Sequence, residues 1–179
     1  MMATSALRLG TMAAVLSLTT ACGFFGGKDD VTDGPQMRFS DDSVECMERA
    51  MFFESHRSSR DGLMAVGTVV MNRVASPDFP NTVCGVVGQR NQFAPGVMTR
   101  PMNSAAMPGV QAAARAVLAG ERHPMVGGAR FFHQKDHRFS YDNMHYVVTA
   151  GGNAFYEKRK SHLVTQPAPL PQIEGLTPL

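Results

Sequence analysis

The stretch CMERAMFFESHRSS, residues 46–59, constrains the chain most, because it reads as a helix that buries one face and sets a glutamate on that face. At about 100° per residue, Val44, Met47, Ala50 and Met51 gather on one side, and Glu54 projects between Met47 and Ala50. Glu45, Glu48 and Arg49 lie towards the other side, where charge meets water. A carboxyl so placed is either satisfied by a cation, with Arg57, Arg60 and Arg73 as the candidates, or held as an acid. The helix is expected to start at DDSVE, where Asp42 and Glu45 have capping-box spacing, and to end near Ser55. A second helix follows from Asp61 through DGLMAVGTVVMNRVAS. Leu63, Val66, Val70 and Val74 form its stripe, Gly67 admits a close neighbour, and the prolines of PDFP stop it.

Further along, a short helix is expected over Thr82–Gly88, then a loop carrying Asn91, Gln92 and Phe93. A third long helix starts near Pro108 and stops at Gly120. GARFFHQ and HYVVTAGGNAFYEK are short β-prone runs separated by polar turns, so a small hairpin or sheet closes the domain. The class is therefore helix-dominated α+β, in one working domain over residues 41–161, and such a length can bury one core.

The flanks read differently. Residues 1–21 have the layout of a secretory signal: one positive charge, Arg8, then a short apolar run ending in small residues. The run meets Cys22 between Ala21 and Gly23, the pattern of a bacterial lipoprotein cleavage site, with simple secretion as the alternative. Lipidated Cys22 would anchor the chain to a membrane through a flexible tether over residues 22–40, on the periplasmic side of the envelope, with the outer membrane favoured. Residues 162–179 are Pro-rich and expected to be an extended or disordered tail. Of three cysteines, a lipidated Cys22 leaves Cys46 and Cys84, which form either a disulfide in an oxidising compartment or two buried thiols.

Several chemistries find little support. The net charge of +2, with no Lys/Arg cluster denser than EKRK, argues against a nucleic-acid partner. No phosphate-cradling glycine loop precedes a lysine, which argues against a nucleotide, and no cofactor is expected. His133 and His137 are four apart but fall in loop or β-prone sequence, so no metal is assigned. A nucleophile elbow is missing as well. Glu54 remains: burial among methionine, alanine and phenylalanine side chains raises a carboxyl's pKa, which suits protonation of a leaving oxygen.

Taken together, ECMERAMFFESHRSSRDGLMAVGTVVMNRVASPDFPNTVCGVV, NQFAPG, GARFFHQ and GGNAFY resemble the SleB/CwlJ-type cell-wall hydrolases, the spore-cortex-lytic-enzyme family. The match runs in order over residues 43–157. It departs from the family pattern at Asn153, where histidine is usual, at Ala94, where Ser or Thr is usual, and in lacking a tryptophan over residues 95–107. The resemblance implies a fold similar to lysozymes and lytic transglycosylases. It also implies cleavage of the β-1,4 bond between N-acetylmuramic acid and N-acetylglucosamine in peptidoglycan strands, with Glu54 as the acid. Gln92, His133 and Tyr156 become candidates for sugar contact, and Asn72 for a hydrogen bond across the cleft base or a structural one. A lytic transglycosylase, needing no second carboxylate, is the favoured route. The competing readings are a non-catalytic peptidoglycan-binding scaffold lipoprotein and a small metal-dependent hydrolase.

Overall fold

The computed structural model describes residues 39–178; Cys22 and the expected signal and most of the tether lie outside them. Helix α1 spans Asp41–Glu54, and its N-cap is Ser40, whose hydroxyl accepts from the Ser43 amide. The cap therefore sits two residues before the expected Asp42. A short serine side chain reaches the free amides directly, leaving Asp41 and Asp42 in the first turn, where negative charge complements the helix dipole. The helix closes at Ser55, whose amide donates to the Met51 carbonyl.

Helix α2, Arg60–Val74, is capped by Ser59, which accepts from the Gly62 amide. Its sequence predicts one apolar stripe, yet residues 61–70 are all buried, so it runs through the middle of the molecule. Helix α1 packs against one side of it and α4, Met107–Leu118, against another. Gly67 makes the close approach possible: a Cβ there would stand 2.3 Å from Met51 Cε and 3.0 Å from Val117 Cγ2. The short α3, Val83–Val87, is capped by Thr82 and covers the base of the bundle with Val83, Val86 and Val87. A disulfide between Cys46 and Cys84 ties α1 to α3, with the Cα atoms 5.2 Å apart.

Three strands complete the domain: β1 (Phe131–Gln134), β2 (Met144–Ala150) and β3 (Asn153–Lys158), antiparallel in the order β1-β3-β2. Phe155 at the centre of β3 is fully buried against the helices, so the sheet closes the same core. This is the helix-dominated α+β class expected from the sequence.

Of the two readings of the tail the structure has the extended one, not the disordered one: after a 3-10 turn at Ser161–Leu163 it runs along the free edge of β2. The Tyr146 amide donates to the Gln166 carbonyl at 2.9 Å, and the Ile173 amide to Thr149 at 2.9 Å. Prolines at positions 167, 169 and 171 cannot donate, but an edge needs only occasional amides, and covering it removes a site of unwanted strand pairing.

Candidate active site

Glu54 ends α1 at the point where the chain turns towards α2. One carboxyl oxygen, Oε1, accepts the backbone amide of Ala94, from the loop after α3. Its own carbonyl accepts Asn153 Nδ2, 2.6 Å away, at the start of β3. Three separate segments thus meet on this residue. Burial raises the Glu54 pKa above its ordinary value of 4.5; the Ala94 amide and the Arg73 charge oppose that rise without cancelling it.

Arg73 lies beneath the site. It is 3% exposed, its Nε donates to the Arg130 carbonyl at 2.7 Å, and among the described residues its Nη1 has no hydrogen-bond partner. The guanidinium faces the rings of Phe79, Phe93 and Phe132, at 5.3, 5.4 and 6.0 Å from their centroids. Burial lowers its pKa to about 10, while Tyr156 and Glu54 oppose the change, so it remains a cation at neutral pH.

Glu54 is among the residues lining a cleft of about 440 Å³, together with His56, Arg57, Gln134, Asp136 and Asn153. Its floor depends on two glycines. A Cβ on Gly62 would lie 2.4 Å from Gly151 Cα, and Gly151 itself has φ +54°. This contact lets the turn after Glu54 sit on the turn between β2 and β3, where the His56 amide donates to the Gly151 carbonyl at 3.0 Å.

The other residues singled out in the sequence fall into different places. His133 and Tyr156 come together on the sheet, with ring centroids 5.7 Å apart, beside the cleft-lining Gln134. His133 Nδ1 lies 2.8 Å from the Gln134 carbonyl and Nε2 lies 2.8 Å from Tyr146 Oη. A carbonyl only accepts, so Nδ1 carries the ring proton and Nε2 accepts a hydrogen bond from the Tyr146 hydroxyl. Burial lowers the His133 pKa, in keeping with that neutral ring, and burial raises that of Tyr156. Gln92 is exposed on the loop that carries Ala94. Asn72 plays a structural part, since its Nδ2 donates to the carbonyls of Gly127 and Ala129, each at 2.8 Å. Among the described residues, no group of three or more His, Cys, Asp or Glu could hold a metal ion.

Three participants escape the sequence reading. The Ala94 contact comes from the backbone, which leaves no side-chain signature. Asn153, which reads as a departure from pattern, holds the end of α1. Arg73 enters only as one of three possible partners for Glu54, although a cation within a stretch of buried helix is the signal that it is special.

Comparison with known proteins agrees with this architecture. The catalytic domain of the germination-specific lytic transglycosylase SleB from Bacillus anthracis is similar at 29% identity and a TM-score of 0.52, over 66% of this chain and 97% of that one. The catalytic domain of the Bacillus cereus SleB protein matches at 28% identity and a TM-score of 0.53, over 74% and 100%. In sequence, a spore cortex-lytic enzyme of Bacillus cereus is 34% identical over 82 residues, 42% of this chain and 32% of that protein. A spore cortex-lytic enzyme of Bacillus subtilis is 35% identical over 49 residues, 27% of this chain and 16% of that protein. The match thus spans a third or less of these curated relatives. Residues 57–156, more than half of the chain and beginning just after Glu54, match the family model described as cell wall hydrolase, and the chain belongs to that family.

Proposed function

We propose that the protein cuts peptidoglycan glycan strands at the β-1,4 bond between N-acetylmuramic acid and N-acetylglucosamine, as a lytic transglycosylase with Glu54 as its general acid and base. The observation that carries this reading is a half-buried glutamate at the wall of an open cleft, its carboxyl fixed by a backbone amide and its pKa raised by burial. The Glu54 proton passes to the glycosidic oxygen as the bond to the muramic acid C1 breaks, and N-acetylglucosamine leaves with a new hydroxyl. The resulting carboxylate takes the proton of the muramic acid 6-hydroxyl, whose oxygen closes on C1 to give the 1,6-anhydro sugar.

A two-carboxylate hydrolysis would need a second acidic group held at about 5–9.5 Å across the bond. Asp136 lines the same cleft, but its side chain is 84% exposed and paired with its neighbour Lys135 at 2.9 Å. An aspartate so solvated is poorly placed to act as nucleophile, which favours transglycosylation. Gln92, His133 and Tyr156 remain candidates for sugar contact. Digestion of purified peptidoglycan by the full chain and by Glu54→Gln, read by mass spectrometry, tests the reading. Fragments lighter by one water than hydrolysis products, absent with the variant, are expected. Ordinary reducing-end fragments would instead assign a muramidase, and wall binding without release would assign a scaffold.

Anchoring belongs to the same proposal. A lipid on Cys22, ahead of a Gly- and Asp-rich tether, would hold the domain near an insoluble polymer and raise its effective concentration. Cys22→Ser is expected to move the protein from the membrane fraction to the soluble one. An unchanged distribution would remove the anchor from the account.

A further inference from the structure

The segment that follows the family-matched region returns to the site. Glu174 accepts from two groups at once: the hydroxyl of Ser59, which caps α2, and the backbone amide of Gly151 at 3.0 Å, in the turn between β2 and β3. Those are the two turns that pack on each other behind Glu54, joined directly by the His56 amide and the Gly62–Gly151 contact. Close by in α2, Asp61 is 1% exposed. It accepts the Leu176 amide at 2.9 Å, the Thr177 amide at 2.7 Å and the Thr177 hydroxyl. Gln172 steadies Glu174 through its Nε2, 2.9 Å from Oε1. A buried aspartate whose carboxylate is satisfied mainly by the tail is costly without it, so the chain is built to keep the tail in place.

We propose that residues 172–177 form a strap that braces the catalytic turn, with Glu174 as a positioning residue for Glu54. This rests on the function proposed above. The strap fixes where α1 ends relative to the β2–β3 turn, and so where the acid points into the cleft. Neither Glu174 nor the strap needs to touch the sugar. A loosened turn would leave strand binding, spread over the cleft, nearly intact, while fewer bound strands would meet a correctly placed proton.

The test is Glu174→Ala and Glu174→Gln in the full chain, followed by amide hydrogen exchange and by release of soluble fragments from peptidoglycan. In Glu174→Ala, exchange at His56 and Gly151 should quicken by about tenfold, and the rate at saturating substrate should fall by about tenfold. The half-saturating concentration should change less than about twofold. Glu174→Gln keeps an oxygen for the Gly151 amide and should restore most of both. Full activity in Glu174→Ala, or unchanged exchange at the two amides, would overturn the proposal. If the wild-type chain releases nothing, the function fails separately, and exchange alone then decides whether the strap braces the turn.

Discussion

At the scale of single residues, the position of Glu54 turns into a pH dependence with a definite sign. With Glu54 as the proposed general acid, which works while protonated, the rate is expected to fall as pH rises through its raised pKa, which gives the alkaline limb of the profile. Arg73 opposes that rise through its charge, so Arg73→Met should move the alkaline limb to higher pH. A profile of rate against pH checks this, because a merely loosened fold would lower the rate without moving the limb. Asn72 makes the opposite case. It holds the carbonyls of Gly127 and Ala129 and does not line the cleft, so Asn72→Ala should lower stability by about 1–3 kcal/mol. Urea unfolding measures that loss, while the half-saturating substrate concentration should stay unchanged.

Among the elements, the seat of the site is the contact between the start of α2 and the β2–β3 turn. Two alanine substitutions of glycine should therefore differ in sign. In Gly62→Ala the new Cβ would meet Gly151 Cα at 2.4 Å, a backbone atom that cannot swing away, so a loss of at least about 1–3 kcal/mol and of most activity is expected. In Gly109→Ala, within α4, the new Cβ meets nothing within 4 Å among the described residues, and the better helix former should add about 0.5–1 kcal/mol. Thermal melts of the two variants would decide both. These elements also show what a single sequence can convey. The helices around Met51 and Val117 and the strands around Phe155 are legible because burial imposes a period on side chains. Glu54 is legible because it breaks that period. The burial of residues 61–70 all round α2 is not, since a stripe presumes a solvent face and says nothing about how many neighbours converge. The amide of Ala94 carries no residue signature. The docking of the tail is not legible, because proline content reports an extended chain with missing donors but not the acceptor, Asp61, waiting more than a hundred residues earlier.

For the molecule as a whole, the site opposes the fold, and pH decides by how much. Asp61 is pushed up by burial but pulled below its ordinary value by the Thr177 and Leu176 bonds, and burial lowers the His123 pKa. Both groups bind protons more readily in the unfolded chain, so they contribute stability that is lost on acidification. His123 loses its share as pH falls from 6.5 through its lowered value, and Asp61 as pH falls from 3.8 through its own. Glu54 and Glu48 run the other way, because burial raises both. Each binds its proton more tightly when folded, so each favours the fold below 4.5 and loses that advantage as pH rises through its raised value. At neutral pH the ionised Glu54 therefore destabilises the domain that holds it. Glu54→Gln keeps the shape and an oxygen for the Ala94 amide but removes the charge. It should be inactive yet more stable than the wild type at pH 7, with the difference shrinking as pH falls towards 4.5. Urea unfolding of both proteins at a series of pH values measures it. An equal or lower stability at every pH would mean that the carboxylate is well accommodated, and Glu54 would lose its claim to be an acid held in readiness.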